Sequence, residues 1–173
     1  MDLMKYVALL RGIGPVNPNM HGGKLKGVLE TLGLHGVEPV ISSGNVIFDY
    51  RAKDIAKLES KIEREWPIKL GFNSTTIVRS QAQLQALVDQ DPYKGKTHSR
   101  ETYLLVTFFK HKPPHELSSH EKFYSIHGVN ALCSIVDTIT AKTPDFMAKL
   151  ERQYGKDITS RTWKTIERIL LKM

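Results

Sequence analysis

The predicted fold is decided by Tyr-Val-Ala-Leu-Leu-Arg-Gly-Ile-Gly at residues 6–14 and by Ile-Ser-Ser-Gly-Asn-Val-Ile-Phe at residues 41–48. Residues 7–10 are apolar at every position, a pattern typical of a central strand that is covered on both faces. Arg11 ends this run. The first stretch therefore predicts a buried central strand, and the second predicts a hairpin.

An irregular loop and a helix are predicted between the two stretches. Six glycine, proline and asparagine residues within eight positions exclude regular structure: Gly12, Gly14, Pro15, Asn17, Pro18 and Asn19. Apolar residues at helical spacing then predict a helix from about Gly22 to Leu32, with Gly33 as a left-handed cap. Gly22 and Gly23 leave the backbone N–H groups of its first turn uncovered.

The remainder of the first half completes a β-α-β-β-α-β order. Residues 37–42 predict a strand, which Pro39 confines to a sheet edge because proline lacks a ladder donor. A tight turn and a buried strand follow, then a helix that we expect to end at Pro67, and a strand at 75–79. This order predicts an α+β fold in which residues 1–80 form a ferredoxin-like (α–β plait) subdomain.

Residues 81–173 predict a second plait of similar topology with an additional C-terminal helix. Apolar stretches at 103–109, 123–127 and 131–136 predict strands, and a short helix is expected near Glu116. A further helix is predicted from Thr143 until Gly155 closes it. The last helix is predicted to begin at about Ser160 and carries Trp163 on its apolar face.

Three motifs carry a resemblance to a known family. They are the opening Tyr-Val-Ala-Leu-Leu-Arg-Gly-Ile, the Ser-Gly-Asn-Val-Ile-Phe hairpin at 43–48, and Thr-Ser-Arg-Thr-Trp-Lys-Thr at 159–165. Together they resemble the bacterial family called domain of unknown function 1697. The resemblance implies two consecutive α–β plaits and carries no assigned activity. One departure stands after residues 12–13, where many members have Asn-Val-Gly-Gly and this chain continues with Gly-Pro-Val-Asn-Pro-Asn.

Composition restricts the classes of protein and site. The single Cys133 excludes an internal disulfide and any zinc site built on paired thiolates, and it indicates a reducing compartment. The longest apolar run near the N-terminus, residues 6–10, is far too short for a signal peptide or a membrane span. We therefore expect a soluble, cytoplasmic protein without a membrane partner; no oligomeric state is predicted.

The net charge of +7 raises the question of nucleic acid. Residues 1–90 carry 11 Lys and Arg against 9 Asp and Glu, or +2, and residues 91–173 carry 14 against 9, or +5. These lysines and arginines are interspersed with acids and form no basic block, a pattern that favours simple solubility. No strand has the spaced aromatics that stack RNA bases. Nucleic-acid binding and protein interaction remain the alternatives.

Catalytic and metal chemistry is not indicated. Five histidines lie between positions 98 and 127, but Pro113 and Pro114 interrupt the helical spacing that would pair His111 with His115. Neither Ser42 nor Ser43 stands in a Gly-x-Ser-x-Gly elbow, and serine before glycine is typical of a turn. We predict no metal, no cofactor and no recognisable enzyme site.

One end of the first sheet offers groups that bind anions. The first and second strands of a plait run the same way, so the loop after the first strand and the hairpin emerge together. A small anionic ligand is the expected partner. The alternative is a structural lock between loop and hairpin, and Arg161 is expected either to join this cluster or to pair with a carboxylate between the halves. The candidate ligand-binding residues are Arg11, Gly12, Gly14, Ser42, Ser43, Asn45 and Arg161.

Overall fold

The computed structural model describes residues 2–12, 17–41, 44–51, 53–113 and 121–173. The chain divides into two compact units. Unit 1 comprises residues 1–81 and 168–173, and unit 2 comprises residues 82–167. Within the described residues the fold is mixed α and β, with two four-stranded antiparallel sheets and five α-helices.

Unit 1 contains one of these sheets, with strand order β2-β3-β1-β4. Its elements are β1 (Met4–Leu10), α1 (Gly22–Thr31), β2 (His35–Pro39), β3 (Asn45–Tyr50), α2 (Ile55–Leu70) and β4 (Thr76–Ser80). Strand β1 pairs with β3 on one side and with β4 on the other, so the prediction of a central first strand is confirmed. The strand that contains Pro39 lies at the edge, as predicted.

Both faces of this sheet are buried. Tyr6, Ala8 and Leu10 pack into a core with apolar side chains from α1 and α2. On the opposite face, Val7 and Leu9 are each 0% exposed. The apolar run at residues 7–10 thus places buried side chains on both faces of the sheet. This is the pattern of a central strand.

Helix α2 continues past Pro67, which contradicts the prediction that this proline ends it. The helix ends three residues later, at Leu70, where Gly71 adopts φ 73° and its N–H donates to the Pro67 carbonyl at 3.2 Å. A proline one turn before the end removes one helical hydrogen bond but leaves the last turn available for a left-handed glycine cap.

Unit 2 contains the second sheet, with strand order β6-β7-β5-β8. The elements from residue 81 onward are α3 (Gln81–Asp89), β5 (Thr102–Phe109), β6 (Lys122–Tyr124), β7 (Ala131–Asp137), α4 (Thr143–Tyr154), β8 (Ile158–Thr162) and α5 (Trp163–Lys172). The short helix predicted near Glu116 lies outside the described residues. No helix in the described part of the chain is both long enough and apolar enough to span a bilayer.

Strand β8 was not predicted, and it corrects the start of the last helix. Helix α5 begins at Trp163, whereas we expected it from about Ser160. The preceding residues are an edge strand beside β5, in which Arg161 lies opposite Val106 and the Ser160 hydroxyl contacts that of Thr107 at 2.6 Å. Threonine favours extended backbone, so tertiary pairing here prevails over the helical spacing that follows.

Candidate functional site

The end of β1 and the β2–β3 hairpin meet at one end of the first sheet, as predicted. The backbone N–H of Leu10 donates to the Gly44 carbonyl at 2.9 Å, and the N–H of Arg11 donates to the Thr75 carbonyl at 2.8 Å. Leu9 pairs directly with Asn45. We call this end of the sheet, with Arg11, Gly12, Gly44 and Asn45, the strand-end site.

Only some of the predicted site residues fall within the described chain. Arg11 is half-buried, and Gly12 is exposed with φ 69°. Gly14, Ser42 and Ser43 lie outside the described residues, so the convergence of Arg11 with Ser43 stays a prediction. A positive φ is strained for residues with a Cβ, so the backbone at this position favours glycine.

Asn45 holds the hairpin together from inside. It is 1% exposed, and its Nδ2 donates to the Val40 carbonyl at 3.2 Å. The backbone N–H of Val40 in turn donates to the Asn45 carbonyl at 2.8 Å. A buried side-chain amide with such a partner stabilises the turn. Asn45 therefore shapes the strand-end site by fixing the hairpin.

Ser74 is a member of this region that the sequence did not indicate. Its hydroxyl donates to the carbonyl of Arg11 at 2.8 Å, across a separation of 63 residues. Together with the bond from Arg11 N–H to Thr75, it fixes the backbone of Arg11 on both sides. The position of the arginine is therefore set by β1, β3 and the segment before β4.

The N-terminus of α1 lies close to the end of β2. A Cβ added at Gly22 would come within 2.7 Å of the Pro39 Cβ, so this approach requires glycine. The imidazole Nδ1 of His21 accepts from the Gly23 N–H at 3.4 Å and caps the helix. Backbone N–H groups and the helix dipole make such a terminus favourable for negative charge.

Arg161 occupies β8, and a second arginine takes the corresponding position in unit 1. The Nη1 of Arg161 donates to the Thr159 hydroxyl and to the Ser160 carbonyl, each at 2.8 Å. Arg79 stands opposite Val7 of β1, and its Nη1 donates to the preceding carbonyl, that of Val78, at 2.7 Å. Burial lowers the pKa of Arg161 and of Arg79 to about 10. Each guanidinium thus folds back onto its own edge strand.

Carboxylate side chains of α2 accept hydrogen bonds from the outer edge of β4. The N–H groups of Thr76 and Val78 donate to Glu63 and Glu59 respectively, each at 2.8 Å, and Glu59 lies 3.6 Å from Arg79. Unpaired edge donors invite association with other strands, and here side chains satisfy them. Arg79 is accordingly structural. That Arg161 either joins the strand-end site or pairs with a carboxylate between the halves stays a prediction.

Among the histidines, His98 has a structural role. Its Nδ1 accepts from the Leu104 N–H at 3.2 Å, and its ring stacks on Tyr103 at 4.8 Å between centroids. No group of three or more His, Cys, Asp or Glu side chains that could hold a metal ion occurs in the part of the chain that the structure describes. His115 and His120 lie outside it.

Comparison with known proteins identifies relatives without assigning chemistry. Residues 3–124 match the family model described as a protein of unknown function (DUF1697). The fold is similar to that of the conserved bacterial protein SP0830 from Streptococcus pneumoniae, with a TM-score of 0.70 and 23% sequence identity over 98% of each chain. Comparison with curated proteins gave no match.

Proposed function

Because the chain belongs to the DUF1697 family, whose description names no activity, we propose its function from its own geometry: it binds a small anionic molecule at the strand-end site. The hydrogen bond from Leu10 to Gly44 carries this proposal, since it brings the loop after β1 and the hairpin to the same end of the sheet. Arg11, which is half-buried, and Gly12, which is exposed, directly follow β1 at this end.

The chemistry of these groups favours a phosphate or carboxylate ligand. A guanidinium presents a rigid fork of donors that matches the oxygens of either group. Backbone N–H groups of a glycine-containing turn add donors that no side chain blocks. Binding requires only these donors, whereas catalysis would require a paired nucleophile and base, so binding is the simpler role.

Burial of the sheet faces supports a small ligand over a nucleic acid. Plaits that bind RNA stack bases on aromatic side chains of an open sheet face. Here the apolar side chains on both faces of β1 are buried, and so are those on both faces of β5, for example Leu105 at 4% and Val106 at 0% exposure. A base-stacking platform on either sheet is therefore disfavoured.

We also infer that each unit is a ferredoxin-like plait. The order β2-β3-β1-β4 has the first strand in the centre and the second at an edge, and β6-β7-β5-β8 repeats that order. Placement of α1 and α2 against one face of the first sheet agrees with this topology. In such a plait the strand-end site belongs to the shared end of the first and third strands.

Replacing Arg11 with alanine is expected to abolish the binding of inorganic phosphate at the strand-end site. The reason is that the variant loses the one formal positive charge assigned to this site while the backbone bonds of residue 11 remain. Binding is followed by the shift of the Gly12 amide in ¹H–¹⁵N spectra during a phosphate titration. Arg51→Ala is the matched control, since it removes an exposed arginine after the opposite end of β3.

Stability measurements separate binding from a structural lock. If Arg11 only locks the loop to the hairpin, Arg11→Ala lowers the free energy of unfolding by about 1–3 kcal/mol. The Gly12 amide would then not respond to phosphate even in the natural protein. That combination would refute the proposed function, whereas a responsive Gly12 with nearly unchanged stability of the variant supports it.

A further inference from the structure

We propose that a pocket in unit 2, walled by Lys94, Lys96 and Lys122, is a binding site for a small molecule that bears a phosphate group. This site is separate from the strand-end site and does not depend on it. The pocket has a volume of about 200 Å³, and Tyr93 and Cys133 contribute to its lining. Pockets for drug-sized ligands occupy roughly 300–1,000 Å³, so this one suits a single anionic group with a short organic extension.

Two of the three lysines lie in one compact turn of the backbone. Lys94 and Lys96 flank Gly95 in a compact turn, in which the Lys94 N–H donates to the Asp91 carbonyl and the Lys96 N–H to the Tyr93 carbonyl, each at 3.1 Å. Lys94 adopts φ 48° and Gly95 φ 74°. A left-handed non-glycine residue is uncommon and costs free energy, so the surrounding contacts must hold this turn in place.

Strand pairing supplies the third lysine. Lys122 lies directly opposite Cys133 in the β6–β7 ladder. Side chains of directly paired residues in an antiparallel sheet project from the same face. Lys122 therefore projects from the face on which Cys133 lies, and Cys133 lines the pocket beside Tyr93. Two separate chain segments thus contribute lysines to the lining of one cavity.

None of the three lysines takes part in a salt bridge within the described residues. In the part of the chain that the structure describes, none of these three ammonium groups has a carboxylate partner within ion-pair distance. Burial raises the pKa of the Cys133 thiol to about 12, so the lining thiol stays neutral and does not offset the lysines. Three cations around a concave site attract a multiply charged anion more strongly than a single lysine does.

The rest of the lining indicates an organic portion of the ligand. Pro92 and Ile135 complete the pocket, and Ile135 is 41% exposed at its margin. An apolar rim beside three cations fits a phosphate monoester whose carbon atoms contact the rim. Inorganic phosphate shares the anionic chemistry but lacks this second contact, so the two sources are distinguishable by affinity.

The test is a titration of the ¹⁵N-labelled full chain with inorganic phosphate and with glycerol phosphate, observed at the Gly95 amide. We expect saturable shifts that weaken with added sodium chloride, because salt screens exposed charges. If glycerol phosphate binds more tightly than inorganic phosphate, the ligand is an organic phosphate ester. If the two bind equally, the ligand is free phosphate, and either result supports the site. The double variant Lys96→Ala/Lys122→Ala should weaken binding about 25-fold, if each lysine contributes about fivefold to the affinity.

Matched controls make the result decisive. Lys149→Ala with Lys164→Ala removes two exposed lysines of unit 2 outside the pocket and should leave affinity within about twofold. Arg11→Ala should also leave the Gly95 response intact, which separates this pocket from the strand-end site. An equal loss in the lysine control, an unresponsive Gly95 amide, or a response to single-stranded DNA alone would overturn the proposal.

Discussion

Replacing Glu59 with alanine is expected to lower the free energy of unfolding by about 3–5 kcal/mol, because it leaves a buried arginine without its carboxylate. The side chains of Glu59 and Arg79 are each 5% exposed, and their charged atoms lie 3.6 Å apart. The same carboxylate accepts the Val78 N–H at 2.8 Å. The variant therefore loses an ion pair and a hydrogen bond to an edge strand, and solvent replaces neither fully.

Equilibrium denaturation in urea measures this loss, and two variants calibrate it. Glu30→Ala removes an exposed carboxylate that lies 3.7 Å from Lys26 and should cost less than about 1 kcal/mol. Glu59→Gln keeps an acceptor for Val78 but removes the charge, so an intermediate loss is expected. If Glu59→Ala cost no more than Glu30→Ala, the edge of β4 would not depend on this carboxylate.

The sequence predicted most of the first sheet because its signals were local and strong. The apolar run at residues 7–10 required burial on both faces, and Pro39 required an edge. Both requirements select the same strand order. Pro67 misled the prediction because proline disrupts a helix interior, whereas the last turn tolerates it when a glycine cap follows.

Strand β8 shows why the second half was harder. Ile158 is the only large apolar residue in its five positions, so neither alternation nor an apolar run marks it. The helical spacing after Trp163 is strong and extends the predicted helix backwards over Arg161. The signal that could have identified the strand is weak: two threonines before the helix and Gly155 as a preceding breaker.

The meeting of the β1 end with the hairpin was predicted from topology, whereas the side-chain bonds around it were not predicted. Chain direction alone placed the end of β1 beside the start of β3. No pattern indicated that Ser74 would bond to a carbonyl 63 residues away, or that Glu59 and Glu63 would cover an edge strand. Two glutamates four residues apart on a helix are ordinary surface residues unless the neighbouring strand is known. The lysine pocket was missed for the same reason.

Cys133 is expected to react with a disulfide reagent about 10³-fold more slowly in the folded protein than in the unfolded chain at pH 8. Burial raises the pKa of its thiol from 9.0 to about 12, although hydrogen bonding to Tyr93 lowers it by a smaller amount. Only the thiolate is nucleophilic, and its population falls about tenfold for each unit of pKa increase. The measurement is the rate of thiol release with and without guanidinium chloride.

A neighbouring position provides the control for this rate. Ile135 lies two residues away on β7 and is 41% exposed, so Ile135→Cys in a Cys133→Ala background should react at close to the unfolded rate. A fast reaction of native Cys133, similar to that of this control, would contradict its burial.

The same raised pKa makes stability depend on pH in the alkaline range. Below about pH 8 the thiol is mostly protonated in both states and contributes little slope. Between pH 9 and about 12 the unfolded chain ionises while the folded protein keeps its proton, so the free energy of unfolding falls by up to about 1.4 kcal/mol per pH unit. Burial also raises the pKa of Tyr93, and this lowers the free energy of unfolding at alkaline pH in the same way. The informative quantity is therefore the difference in the free energy of unfolding between the natural protein and Cys133→Ala. That difference should be nearly constant from pH 6 to about 8 and should then decrease with pH; a constant difference up to about pH 11 would show that the thiol ionises equally in both states.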